Sequence, residues 1–150
     1  KGDRLVSQPF KLGGDHAMFC FLNVTAVAGT SANGVLGVHD HVRNTGTGIT
    51  LKAHSTTDLR VCVNTGNGSS RTFNTYGGAT NLALNKWKHV GFTWEQSARR
   101  LRLYVNGKLD YESVGVIPEM AFDANSPLAI FAWSVTYGSG QYAKRDRYNF

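Results

Sequence analysis

Leu101, Leu103 and Val105 are separated by single residues, and Leu109 and Tyr111 repeat that spacing after Asn106-Gly107. A period of two puts apolar side chains on one face of a strand, whereas a helix needs them three and four apart. Asn-Gly between two such runs is a strong hairpin signal, because both residues tolerate the positive φ of a type I′ turn. The charge-rich stretch from Glu95 to Arg102 is therefore read as strand and turn rather than helix. Short apolar runs punctuated by Gly, Asn, Ser and Thr recur along the chain. They predict strands at 17–25, 34–39, 49–54, 59–64, 71–76, 86–94, 102–106, 108–114 and 126–135. Many short strands with no convincing helix predict an all-β antiparallel sandwich or barrel. The pairs Gly13-Gly14 and Gly77-Gly78 read as turns. So do the near-identical segments Asn44-Thr45-Gly46-Thr47-Gly48 and Asn64-Thr65-Gly66-Asn67-Gly68.

No composition break divides the 150 residues, so residues 1–150 are expected to form a single domain. With 41% hydrophobic and 11% aromatic residues the chain can bury a core, which excludes a disordered polymer. It has no apolar run of about 18 residues, so no transmembrane helix is expected. Lys1 opens the chain without a signal-peptide pattern, which leaves the destination open. Cys20 and Cys62 both lie in apolar runs and are read as buried thiols, with one disulfide as the alternative. The net charge of +6 suits an anionic partner. The basic residues are scattered, however, and the groups Arg99, Arg100, Arg102 and Lys144, Arg145, Arg147 are short. Nucleic acid is disfavoured, because basic and aromatic residues do not alternate over one face.

The acids argue against catalysis. There are seven Asp and three Glu, and Glu95, Glu112 and Glu119 lie in separate segments. Glycoside hydrolysis needs two carboxylates about 5–10 Å apart, and Asp110-Tyr111-Glu112 is the single D-x-E spacing in the chain, with no E-x-D beside it. No G-x-S-x-G elbow, phosphate loop or dinucleotide fingerprint is present. His39-Asp40-His41 has metal-like spacing, but a site would need further ligands from Asp15, His16 or His54. It is read as a polar loop, with Asp40 capping a turn, and no metal or other cofactor is expected.

Aromatic residues carry the recognition signal. On the strand 86–94, Val90, Phe92 and Trp94 share a face that reads as core, while Trp87 starts the strand and is expected to pin a loop. Met18-Phe19-Cys20-Phe21-Leu22 reads as a strand buried on both faces. Trp133, Tyr137 and Tyr142 flank the small-residue loop 134–140. An aromatic ring suits the apolar C–H face of a sugar, and neighbouring polar groups suit its hydroxyl edge. Loops on a rigid scaffold often carry binding. The candidate ligand contacts are therefore Trp133, Tyr137, Tyr142 and Tyr76, with Asn74 and Asp40 as polar partners.

The run Asn85-Lys86-Trp87-Lys88-His89-Val90-Gly91-Phe92-Thr93-Trp94, followed by Leu101-Arg102-Leu103-Tyr104-Val105-Asn106-Gly107-Lys108-Leu109, resembles the laminin-G-like, concanavalin A-like lectin/glucanase superfamily. The Trp-x-His strand and the strand ending Leu-x-Tyr-Val-Asn-Gly carry the likeness. It is close over about 25 residues and loose over perhaps 120. Residues 17–24 and Leu128-Ala129-Ile130-Phe131 look like an early and a late strand of that family. The resemblance implies a jelly-roll sandwich used for glycan or protein recognition, extracellular or on a virion surface. The Glu-x-Asp-x-x-Glu signature of laminarinase-like members is absent, and no acidic cluster matches a calcium site. The family closes with a strand of the form G-x-I-D-D-V-R-I-Y, whereas this chain reaches Arg147-Tyr148-Asn149-Phe150 where that strand would begin. The expected N-terminal pairing strand is short or missing. The sandwich is thus expected to be incomplete at its termini, with a partner segment or neighbouring subunit supplying strands. Binding of a carbohydrate or surface receptor is the expected function. A structural role in a phage or viral virion is the alternative.

Overall fold

The computed structural model describes residues 5–9, 14–25, 33–38, 48–53, 58–66, 71–117, 127–130, 137–138 and 141–142. All regular elements among them are strands. In chain order they are β1 (Leu5–Pro9), β2 (His16–Asn23), β3 (Asn33–Val38), β4 (Gly48–Ala53), β5 (Asp58–Gly66), β6 (Arg71–Asn81), β7 (Trp87–Glu95), β8 (Arg100–Val105), β9 (Lys108–Val114), β10 (Pro127–Ile130), β11 (Tyr137–Gly138) and β12 (Gln141–Tyr142). One sheet has the order β1-β10-β3-β4-β5-β6, a second β2-β7-β8-β9, and β11-β12 is a separate pair. Every pairing is antiparallel.

The core lies between the two larger sheets. Val35, Leu36, Ile49, Leu51, Leu59, Val61 and Val63 come from one side, and Leu22, Val90, Phe92, Trp94, Leu101, Leu103 and Val105 from the other. Each fully buried aliphatic or aromatic side chain contributes about 1.5–3 kcal/mol relative to exposure. The expected sandwich and the inward face of Val90, Phe92 and Trp94 are thus both observed.

The Asn106-Gly107 turn forms as expected, with φ of 51° and 75°. Its asparagine does more than accept a left-handed backbone. The Asn106 amide donates to the His89 carbonyl at 2.7 Å, and its Oδ1 accepts from the His89 amide at 3.0 Å. The β8–β9 hairpin is thereby fastened to β7. At the other end of β7, Asp15 Oδ1 accepts from the Gln96 amide at 2.7 Å and holds the Gln96–Arg99 turn against the entry to β2.

Several sequence readings need correction. Gly77-Gly78 is not a turn but lies inside β6, which runs on to Asn81. The glycines are there because other chains cover them. A Cβ at Gly77 would meet Arg60 Cγ at 2.6 Å, and one at Gly78 would meet the Asp110 carboxylate at 1.6 Å. Asn64-Thr65-Gly66 is also strand, pairing with Phe73, Thr72 and Arg71. β1 was not among the nine predicted strands, and it pairs with β10.

The β2 reading also changes. Leu22 is buried and Met18 and Cys20 pack against the core, but Phe19 and Phe21 stand on the outer face. Cys20 is a free thiol, and burial raises its pKa.

The two sheets are joined at one margin by bulges in both. β9 pairs Tyr111 with Leu103 and Leu109 with Tyr104, leaving Asp110 as the extra residue. β6 slips at the same level, between its pairings with Asp58 and Arg60. Asp110 Oδ1 accepts from the Thr80 amide at 3.1 Å and from the Thr80 hydroxyl.

His16 opens β2, half-buried and edge-on to Phe92, with ring centroids 5.9 Å apart. Burial lowers its pKa below the ordinary 6.5, against smaller upward pulls from the Gly14 carbonyl and Asp15. Below 6.5 the unfolded chain therefore takes up a proton before the folded one does. The stabilising contribution is whole above 6.5 and is lost as pH falls from 6.5 through the lower folded value. Thermal unfolding is expected at a lower temperature at pH 5.5 than at pH 7.5, and His16→Gln should flatten that decline. An unchanged slope in the variant would refute this assignment.

Candidate functional site

The outer face of the four-stranded sheet carries a continuous group of rings. Phe19 and Phe21 alternate with the inward Met18, Cys20 and Leu22 along β2. Their register partners on β7 are Gly91 and His89, and Asn23 lies opposite Trp87. Tyr104 on β8 lies opposite Gly91 on the other side. His89 sits between both phenylalanines: its ring stacks on Phe19 at 5.3 Å and 12°, and meets Phe21 at 5.1 Å and 47°. Tyr104 closes the group at 5.9 Å from Phe19. Gly91 makes this possible, because the Phe19 ring lies over its Cα where a Cβ would stand.

Exposure sets this face apart from a core fragment. Phe21 is 70% exposed and Trp87 69%. Among the described residues Trp87 covers no loop, contrary to the sequence reading. Rings held by neighbours yet open to solvent on a well-paired sheet form a prearranged apolar surface. Sequence reasoning missed Phe19 and Phe21 because apolar residues occupy both parities of β2. The signal that could have found them is Gly91, a small residue opposite an aromatic one.

Further along the same face the rings give way to ions. Arg102 Nη1 meets Glu95 Oε1 at 2.8 Å and Arg102 Nε meets Glu112 Oε2 at 2.6 Å. Arg100 Nη1 meets Glu95 Oε2 at 3.2 Å. The bond to Glu112 raises the Arg102 pKa above its ordinary value, with a further upward pull from the Glu95 charge. Two glutamates from separate segments are thus brought together, and each is engaged by arginine.

The sequence-derived contacts are distributed differently. Tyr76, on β6, is half-buried against the core, and burial, then Tyr111, raises its pKa. Asn74 is two residues before it, at the register position opposite Val63. Tyr137 and Tyr142 face each other in register across β11 and β12. Trp133 and Asp40 lie outside the described residues, as do His39, His41 and His54. Tyr76 and Asn74 thus share one strand, and Tyr137 and Tyr142 share one hairpin.

The chain's sequence matches a family profile described as laminin G within the concanavalin A-like lectin/glucanases superfamily, over residues 7–144. A comparison with curated proteins gives no match. Among solved structures, domains LG4-5 of the mouse laminin alpha1 chain superpose with a TM-score of 0.61 at 17% identity, covering 94% of this chain and 35% of that one. A candidate carbohydrate-binding protein from Bacteroides ovatus gives 0.59 at 21% identity, covering 86% and 35%. The enzymatically active domain of tailspike protein 2 from bacteriophage CBA120 gives 0.57 at 13% identity, covering 91% and 21%. The chain spans about a third of the length of the first two, and at these identities the likeness is one of fold. With the profile matching nearly the whole chain and the described strands forming an antiparallel sandwich, this protein belongs to the laminin G-like family of the concanavalin A-like lectin/glucanases superfamily.

Proposed function

We propose that this protein is a non-catalytic recognition module that binds carbohydrate, displayed outside the cell or on a virion. The observation that carries the reading is the exposed ring group Phe19, Phe21, Trp87, His89 and Tyr104 on a firmly paired sheet. Such rings stack on the C–H face of a pyranose, and this mode calls for no cofactor. Trp133, Tyr137, Tyr142, Tyr76, Asn74 and Asp40 remain a second proposed contact set. The likeness to a candidate carbohydrate-binding protein supports the reading. The absence of catalysis is supported by Glu95 and Glu112, both engaged by arginine rather than paired across a cleft.

A glycan array probed with the intact protein, Phe21→Ala/Trp87→Ala and Trp133→Ala/Tyr142→Ala tests this. Saccharide binding that at least one double variant abolishes is expected, with no sugar released from polysaccharides. Binding retained in both double variants, or sugar release, would overturn it.

A structural role through strand addition is the second reading. It is favoured by β2, whose pairing among the described residues is with β7 alone. Light scattering decides, because a strictly monomeric protein counts against it.

A further inference from the structure

Among the described residues the two large sheets differ in strand number, and the mismatch falls at one margin. β6 lies against β8 and β9, β5 against β8, and β3 beside β2. In the order β1-β10-β3-β4-β5-β6, β10 and β1 therefore project past β2, the last described strand of the smaller sheet. At one strand spacing each, the overhang is about 10 Å wide. Its inner parity holds apolar residues. Leu36 is in register with the buried Leu51, Ile130 with Leu36, and Leu5 with Ile130. Leu128 stands in the next such row, with Val38 and the buried Ile49.

The free edge of β2 forms a wall beneath this roof, and the direction of its backbone groups follows from its neighbours. The His89 amide and carbonyl are both bonded to Asn106, on the β8 side. Backbone groups alternate in direction along a strand, so those of Val90 turn toward β2 and meet Cys20, its register partner. The amides and carbonyls of Ala17, Phe19, Phe21 and Asn23 then point the other way, to the free edge. β2 keeps one unbroken register with β7 and contains no Lys, Arg, Asp, Glu or Pro. It thus lacks the charges, prolines and bulges that guard an edge strand. Asn23 Oδ1, at the end of this edge, is shut from solvent without a hydrogen-bond partner in the described structure.

A row of free amides under an apolar roof fits an extended polypeptide with apolar residues at alternate positions. A saccharide offers no matching ladder. A second copy of β2 does not fit, because edge-to-edge pairing would drive the overhanging β10 of each molecule into β3 of the other. The terminal stretches of the chain lack the required alternation: Lys1, Asp3 and Arg4 crowd one, and Lys144, Arg145, Asp146 and Arg147 the other.

We propose that β2, β10 and β1 form a groove that takes up an extended segment of a different polypeptide as a further antiparallel strand. Its apolar residues face the inner side of β10, and the residues between them pair with Phe19 and Phe21. The groove shares β2 with the strand-addition reading above but needs no self-association. A monomeric protein would count against that reading and leave this one to its own test.

The probe is a labelled peptide, Lys-Thr-Val-Thr-Val-Thr-Val-Thr-Lys, followed by fluorescence anisotropy and by amide hydrogen exchange of the whole protein. In the protein alone, the Phe19 and Phe21 amides should exchange faster than those of Met18, Cys20 and Leu22. Bound peptide should slow both by about ten-fold or more. A peptide N-methylated at its threonines, which face β2, should neither bind nor protect, whereas N-methylation at its valines should be tolerated. Ala17→Pro removes one edge-facing amide and should weaken binding about five-fold or more. Leu109→Thr, an exposed position on the far strand, should change it less than about two-fold. Circular dichroism checks the folding of both variants. Phe19 and Phe21 amides already as slow as Cys20 in the protein alone would mean that the chain covers its own edge, and would overturn the proposal. So would exchange unaltered at about 1 mM peptide, or binding that does not depend on which amides are methylated.

Discussion

Trp94→Ala is expected to remove about 3–5 kcal/mol of folding stability, the range for deleting a fully buried aromatic side chain. Trp94 is 1% exposed, shares the inner face of β7 with Phe92, and pairs in register with Leu101. Its loss costs the transfer energy of the ring and opens a cavity that two well-paired sheets cannot close around. A second term is separable. The Trp94 indole Nε1 donates to Gln96 Oε1 at 2.6 Å, which ties the ring to the turn that leads into β8. Trp94→Phe keeps most of the volume but drops this bond, and should cost about 1–2 kcal/mol. Against a total of about 5–15 kcal/mol for an ordinary domain, the alanine variant stands near the threshold of folding at all. Urea unfolding of the two variants measures both terms. A loss below 1 kcal/mol for Trp94→Ala would contradict its place in the core.

The second large effect belongs to Gly91. A Cβ there would stand 2.2 Å from Phe19 Cδ1 and 2.4 Å from the Met18 carbonyl oxygen. The ring can rotate away, but the carbonyl belongs to the ladder between β2 and β7 and can move only by opening it. Gly91→Ala should therefore destabilise by about 1–3 kcal/mol, and Gly91→Val by more. It should also displace Phe19 from His89 and weaken any ligand that rests on the rings. A double-mutant cycle separates the two clashes. Phe19→Ala should relieve part of the cost of Gly91→Ala, leaving the share due to the Met18 carbonyl. Full additivity of the two changes would mean that the ring does not lie over Gly91.

Much of the fold was legible because alternation and turn chemistry act locally. Leu101, Leu103 and Val105, with Asn106-Gly107 after them, specify a hairpin without reference to the rest of the chain. β1 was not legible: Leu5–Pro9 is short, contains two polar residues and ends in proline, so only its pairing with β10 makes it a strand. The extent of β6 was hidden for a related reason. Gly77-Gly78 has the composition of a turn, and what holds it extended is the approach of Arg60 and Asp110 from other strands. The candidate site was only partly visible. Aromatic residues were recognised as its currency, but in β2 the continuous run from Met18 to Leu22 conceals which parity faces out. Burial breaks that symmetry, and burial depends on where the second sheet lies.

The bulge that turns Asp110 toward Thr80 has a consequence for assembly. A sheet margin propagates into fibres or stacks when it offers a flat row of free amides and carbonyls. The β6/β9 margin is kinked in both strands, and its Thr80 amide and the protruding carboxylate are already engaged with each other. Among the described residues this margin offers an irregular row to a further strand. Among the described residues, β2, paired with β7 alone, is left as the more regular edge, so the two margins of the four-stranded sheet differ in what they offer to another molecule.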